Sequence, residues 1–216
     1  MQFNPRNLET AVNRFSRRVM AIDPGFGSSS CGFCIAQLVS VADSNPNATA
    51  VNDTYSGNTI QILLAEEYAK PDFNAMISVA TNLMQQYFIL QDPDSKVYVD
   101  GSAPAFIRAL KIAIGENPDY EGTIARARAS GFSNISSWVG KVEPIVFGTA
   151  GMHKQLLNTA KILMDAHCIA IHPAQTKLIT ALRTAYENDG SLDKDRTSHN
   201  DVFDAWRMCL KYFEIG

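Results

Sequence analysis

The sequence predicts an α/β domain, a mixed five-stranded sheet flanked by helices, and three observations carry that expectation. Three strand-like apolar runs follow one another early in the chain, with no helical period between them. From residue 72 onward, apolar residues at helical spacing alternate with short apolar runs that end in turn residues. The 216 residues, 46% of them hydrophobic, are enough for one sizeable core.

The first strand is Arg18–Asp23, "RVMAID", an apolar run closed by an aspartate and a turn of glycines and serines. The second, 32–41, and the third, 59–68, are separated by an Asn-, Asp- and Ser-rich stretch of the kind that joins neighbouring strands. Residues 72–87 place Met76, Val79, Ala80, Leu83, Met84 and Tyr87 on one helical face. The fourth strand, "KVYVD", again ends in an aspartate, Asp100. Pro104 then opens a helix over 105–114, as a proline in a first turn can. Within residues 115–141, "YEGTIARARASG" is compatible with a short helix and 131–140 reads as irregular. Beyond them, "VEPIVFG" reads as the fifth strand, "HKQLLNTAKILMDA" as a helix and "CIAIHP" as a short apolar segment stopped by Pro173. A helix over 175–188 is punctuated by Gly190, and a last helix runs to about Phe213 with Thr197 or Ser198 as its N-cap.

Charge and cysteine content narrow the function classes. The net charge of -3 and pI near 5.8 give no general attraction to a polyanion, so any nucleic-acid contact must be local. Nine basic residues against five acidic ones between 104 and 183 make that region the candidate DNA-backbone surface, with Lys177 and Arg183 singled out. Residues 1–18 are polar and basic, with no apolar run suited to a signal peptide or a membrane span, so a cytoplasmic location and no membrane partner are expected. Cys31 and Cys34 form a CxxC. On a strand, however, they project from opposite faces, and no second CxxC exists to complete a zinc site.

The chemistry lies in the placement of the acids. Asp23 and Asp100 both close predicted strands, at the sheet edge where α/β proteins bind ligands. Asp201 and Asp204, three apart, share one face of the last helix. Each acid taken singly is explained by turn formation or by complementing a helix dipole. Asp204 resists that reading, because Phe203, Ala205 and Trp206 flank it on an apolar helix where a charge needs a partner or an opening. If the helix crosses the same sheet edge, four carboxylates converge, and hard divalent cations are their natural partners. Two such ions can activate water and stabilise a leaving oxygen in phosphodiester hydrolysis.

"AIDPGFGSS", "VYVDGSAPAFIRALK" and "TSHNDVFDAWRMCLKYF", in that order and separation, resemble the ribonuclease H-like nuclease domain of viral large terminase subunits, which is related in fold to RuvC-type resolvases. The similarity extends from about Met20 to Phe213, and its texture is closest to terminases of archaeal viruses and proviruses. The resemblance implies a ribonuclease H-like mixed five-stranded sheet flanked by helices. It further implies an endonuclease that cuts concatemeric viral double-stranded DNA during packaging with two Mg²⁺ or Mn²⁺ ions. Asp23, Asp100, Asp201 and Asp204 are then the metal-binding and catalytic residues, with Asp23 bridging the ions. The implied partners are a packaging ATPase domain, a small terminase subunit and a portal, in the cytoplasm of the host cell.

One departure stands out: the sequence contains no GxxxxGK[ST] phosphate loop, so no ATP hydrolysis is expected from it. Residues 1–18 are accordingly expected to be a linker or N-terminal extension, and 19–216 the nuclease domain. Three other classes compete. A Holliday-junction resolvase shares the fold and chemistry but acts on branched DNA. A catalytically silent packaging-motor docking module keeps the fold alone. An actin-like ATPase uses a similar first-strand turn but needs two such domains. For Glu66 and Glu67, which end the third strand, a solvated strand end is favoured over a place for one of them near the metals, and His153 and His172 read as packing or capping residues.

Overall fold

The computed structural model describes residues 17–25, 29–40, 58–116, 140–147, 150–188 and 191–213. Its elements, in chain order, are β1 (Arg18–Asp23), β2 (Ser30–Ser40), β3 (Asn58–Ala69), α1 (Phe73–Gln86), β4 (Lys96–Asp100), α2 (Pro104–Ala113) and β5 (Val142–Ile145). They continue with α3 (Ala150–Asp165), β6 (Ile169–Ile171), α4 (Thr176–Thr184), β7 (Glu187–Asn188), β8 (Ser191–Leu192) and α5 (Asn200–Leu210), which ends in a 3₁₀ turn, Lys211–Phe213.

The main sheet has six strands in the order β5-β4-β1-β2-β3-β6, and only β2 runs against the others. The expected count of five is thereby corrected. The apolar "IAI" of the segment ended by Pro173 is a strand, parallel to β3 and paired with Ile60–Ile62. Its three residues were too few to show a period. Where β6 ends, the Gln175 side chain takes over the β3 margin, accepting from the Ala65 N–H at 2.9 Å and donating to the Leu63 carbonyl at 3.3 Å. At the opposite margin, β5 carries Pro144, which has no N–H to offer.

Strand alternation sorts the side chains into two cores. Met20, Ile22, Phe33, Ile35, Val97 and Val99 face α1 and α2, meeting Met76, Ala80, Met84, Phe106 and Leu110. Val19, Ala21, Cys34, Ala36 and Tyr98 face α3, α4 and α5. Cys31 and Cys34 fall in different cores, as the alternation requires. The helix α5 lies against β1 and β2 with Val202–Leu210 buried on every side, so it is a central helix. Burying Val202, Met208 and Leu210 contributes roughly 1.5–3 kcal/mol each.

Local chemistry explains the element ends. Asp72 caps α1 by accepting from the Ala75 N–H at 2.8 Å, and Pro104 occupies the first turn of α2. Two expected boundaries differ. The helix anticipated over 175–188 stops at Thr184, because Glu187–Asn188 leaves the helical path to pair with Ser191–Leu192. The cap expected at Thr197 or Ser198 is instead His199, left-handed at φ 54°, with no side-chain cap bond. Thr197 spends its hydroxyl on the Asp193 carbonyl at 2.7 Å. Residues 1–16 of the expected linker, and residues 117–139, with the short-helix and irregular stretches read there, lie outside the described residues; Arg18 opens β1 and is buried.

Candidate active site

The alternation that builds the α5-facing core also selects the residues at its upper edge. Asp23 continues the Val19, Ala21 row of β1, Asp100 continues the Tyr98 row of β4, Gly32 follows Cys34 on β2, and Glu67 follows Ala65 on β3. Asp23 is paired with Gly32, and Gly32 with Glu67, so these positions run side by side across the sheet. The first turn of α5 crosses directly over Gly32. A Cβ there would sit 2.1 Å from the Asp201 carbonyl oxygen and 2.8 Å from the Val202 nitrogen. Glycine is what lets α5 approach so closely, and that approach brings Asp201 and Asp204 to the strand ends.

The structure therefore brings all four sequence-predicted acids to one edge. Asp23 is 9% exposed and its carboxyl is held well above the usual carboxylate range, first by burial and then by the charge of Asp204. Lys194 opposes that shift, and Asp100 and Asp201 add to it. Asp201 is also raised, by burial first and then by Glu67, against the pull of Lys194 and the Ser30 N–H that its carboxylate accepts. Asp100 accepts from the Ser102 N–H at 2.9 Å. Asp204, almost fully buried, lies 2.9 Å from Lys194 Nζ through Oδ2 and 2.7 Å from Arg207 Nη2 through Oδ1. The Arg207 contact is close but misaligned, so Asp204 Oδ1 makes no hydrogen bond among the described residues. As arranged, no group of three His, Cys, Asp or Glu side chains among the described residues could hold a metal ion.

Three residues of this site escaped the sequence reading, and a fourth, Glu67, was weighed for it and read the other way. Glu67 was expected to be a solvated strand end. Instead it is partly buried, contacts His199 and acts on Asp201. Its place two residues after inward-facing Ala65 was the available signal. His153 accepts from Arg207 at 2.9 Å and stacks on Phe147 with ring centroids 4.7 Å apart, so it belongs to the shell around Asp204 as well as to packing. Burial, and next the nearby Arg207 charge, lower its affinity for a proton. Arg207, fully buried and 4.8 Å over the Phe147 ring, is one helical turn beyond Asp204, a spacing visible in the sequence. Lys194 carried no signal.

In the turn after β1, the sequence leads one to expect Gly25 and Gly27 to permit a tight turn with φ > 0 and to leave room for an approaching phosphate. Gly25 is not in the left-handed region; a Cβ there would lie 1.7 Å from the Ser30 carbonyl, so close chain approach is what requires glycine. Gly27 lies outside the described residues. Cys31 stands beside the acids, its thiol pushed up to about 12 by burial first, with Asp23 and Asp201 adding to the effect. His172 accepts from the Ala174 N–H at 3.1 Å, the local capping role expected of it.

The basic residues do not form a single free face. Lys111 is buried, Lys141 donates to the Asp92 and Ser95 carbonyls, Lys161 pairs with Glu187, and Arg126 and Arg128 lie outside the described residues. Lys177 donates to the Glu67 carbonyl at 2.5 Å, beside the acid edge. Arg183 is exposed in the last turn of α4, about 9 Å further along the helix at 1.5 Å per residue.

A mixed sheet in which only the second strand is reversed, with helices on both faces, is a ribonuclease H-like fold. Within it, the chain is similar to solved nuclease domains of viral large terminases. It superposes on the large terminase nuclease domain of bacteriophage SPP1 with bound Mn at a TM-score of 0.56 and 14% identity, covering 95% of this chain and 92% of that one. The large terminase nuclease of thermophilic phage G20c gives 0.55 at 12% identity over 94% and 85%, and its magnesium-bound form gives 0.54 at 13% over 91% and 82%. No protein-family model matches the chain, and neither does any curated protein. The chain has the fold of large terminase nuclease domains.

Proposed function

We propose that the chain is a divalent-metal-dependent endodeoxyribonuclease that cuts concatemeric viral double-stranded DNA during genome packaging in the host cytoplasm. The observation that carries the reading is the buried carboxylate of Asp23, electrostatically joined to Asp100, Asp201 and Asp204 at one sheet edge. The donor chemistry suits a hard cation: it is all carboxylate oxygen, and Asp204 Oδ1 makes no hydrogen bond among the described residues beyond its ion pair with Arg207, but the carboxylates must draw together for three of them to reach one ion. Two bound Mg²⁺ or Mn²⁺ ions supply an activated water and stabilisation of the leaving oxygen.

The chain's own residues do the positioning. Asp23, which feels all three other acids, would hold the ions together with Asp100 from β4 and Asp201 and Asp204 from α5. The Ser30 N–H orients Asp201, and Arg207 fixes Asp204. Absence of a side chain at Gly32 keeps the helix seated. Lys177, beside the acid edge, and Arg183 are the proposed phosphate contacts, which position a duplex without reading its sequence. A packaging ATPase domain, a small terminase subunit and a portal are the proposed partners, and residues 1–18 the connection toward that machinery. Among the described residues, no helix is long and apolar enough to cross a membrane.

The test is incubation of supercoiled and linear plasmid with Mg²⁺, Mn²⁺ or EDTA. Cleavage is expected with either metal, with little sequence preference, and is expected to vanish in Asp23→Asn and in Asp100→Asn while both variants stay folded. Full activity in either variant would sink the assignment. The pairing of Asp204 with two cations favours one second reading, a silent docking module. In that case Mn²⁺ neither supports cleavage nor raises the melting temperature.

A further inference from the structure

Lys194 reaches the acids from an exposed position and is held there through its ion pair with Asp204. Its backbone is fixed from several sides. The Asp193 carboxylate accepts from the N–H groups of Asp195 and Arg196 at 3.1 and 3.2 Å. The Thr197 N–H and hydroxyl both bond to the Asp193 carbonyl. The Asn200 side chain, at the start of α5, donates to the Lys194 carbonyl at 3.2 Å. From this anchored turn the lysine side chain reaches inward, and its ammonium meets Asp204 at 2.9 Å. It lowers the proton affinity of Asp23 and Asp201, and those acids together with Asp204 raise its own.

Two cations thus stand among the acids, and they differ in one respect. Arg207 is fully buried, stacked under Phe147 and bonded to His153, with no route outward. The Lys194 side chain is 54% exposed, and its four-carbon stem can turn into solvent without disturbing the anchored backbone. A divalent ion entering the cluster would meet an ammonium already bonded to a carboxylate it needs, and like charges this close repel. Lys194 can leave, whereas Arg207 cannot.

We propose that Lys194 is a tethered counter-cation that occupies the acid cluster when no metal is bound, and that a divalent ion must displace it to bind. The inference rests on the metal use proposed above. It makes Lys194 a determinant of metal affinity: it steadies the metal-free site and, by the same interaction, opposes loading. Mutual exclusion of two ligands at one site is a negative coupling, and removing one strengthens the other.

The test is calorimetric titration of Mn²⁺ into the full chain, together with thermal melting in metal-free buffer, for wild type, Lys194→Gln, Lys194→Arg and the remote control Lys161→Gln. Lys194→Gln is expected to bind Mn²⁺ roughly tenfold more tightly, within the usual range of coupling between two ligands. It should also melt lower than wild type in EDTA. Lys194→Arg, which keeps the charge, should stay near wild type in both measurements, and Lys161→Gln should leave Mn²⁺ affinity unchanged. Equal or weaker Mn²⁺ binding by Lys194→Gln, with wild type binding normally, overturns the inference while leaving the nuclease reading intact. Absence of Mn²⁺ binding in both proteins overturns the two together.

Discussion

Gly32→Ala is the most direct test of how the fold builds the site. The added Cβ would meet the Asp201 carbonyl oxygen at 2.1 Å, the Asp201 carbonyl carbon at 2.4 Å and the Val202 nitrogen at 2.8 Å, all backbone atoms that cannot rotate aside. Ordinary contact begins near 3.4 Å, so the start of α5 must lift from β2 by about 1.3 Å. Overpacking of this kind costs typically ~1–3 kcal/mol, and the rigidity of both partners puts this case at or above the upper end. The small gain of about 0.4–1 kcal/mol from restricting the unfolded chain does not offset it. The same displacement moves Asp201 and Asp204 away from Asp23. A misplacement of ~1 Å can cost about 10²-fold in rate. Thermal melting by circular dichroism, Mn²⁺ titration and plasmid cleavage read the three consequences separately. A variant that melts with wild type, binds Mn²⁺ equally and cuts at full rate would refute the close approach of α5 to β2 as the basis of the site.

Three further outcomes are expected. Asp204→Asn should lose more cleavage than Asp201→Asn, since Asp204 is the more deeply buried of the pair and the one on which two cations converge; equal or reversed losses would show the ordering to be wrong. Mn²⁺ at one hundred times its Kd should stabilise the wild type by about 2.7 kcal/mol per site, a rise of several degrees in melting temperature, and should help Asp23→Asn much less. The pH dependence follows from the raised carboxyls of Asp23 and Asp201. The native state holds these protons more tightly, so the stability they contribute is fully present below the ordinary carboxylate value of about 3.9 and is lost as pH rises through the elevated native values. In EDTA, Asp23→Asn should therefore exceed wild type in melting temperature at neutral pH, and the gap should close on acidification; a gap independent of pH would contradict this.

The strands and the acids were legible because local rules govern both. Closing a strand put Asp23 and Asp100 at the ligand-binding sheet edge, and the i,i+3 spacing put Asp201 and Asp204 together; that Asp23 and Asp100 share a face follows only from the register of β1 with β4. What lay beyond the sequence was pairing over distance. Nothing local in "IAI" shows that it lies beside β3, and nothing local to Lys194 shows that its ammonium meets an aspartate ten residues later. Gly32 is instructive in a different way. Read as the first residue of its strand it passed for part of a turn, and only the packed structure, which starts β2 at Ser30, shows it inside the strand with α5 against it. The pairing of Glu187–Asn188 with Ser191–Leu192 was hidden in the same way, because the helical spacing carries on to Asn188 and Gly190 reads only as a stop.

The two outer margins of the sheet bear on how the protein behaves when concentrated. An unpaired strand edge offers a row of peptide groups to any other extended chain, and such rows seed aggregation. Here β5 interrupts its row with Pro144, and the free stretch of β3 beyond β6 is occupied at Leu63 and Ala65 by the Gln175 amide, a side chain standing in for the next strand. Replacing Gln175 would return a peptide donor and acceptor to that margin. The glutamine that starts α4 thus also works as a stopper, keeping a sheet built around a dense cluster of charge from adding strands of other molecules at its side.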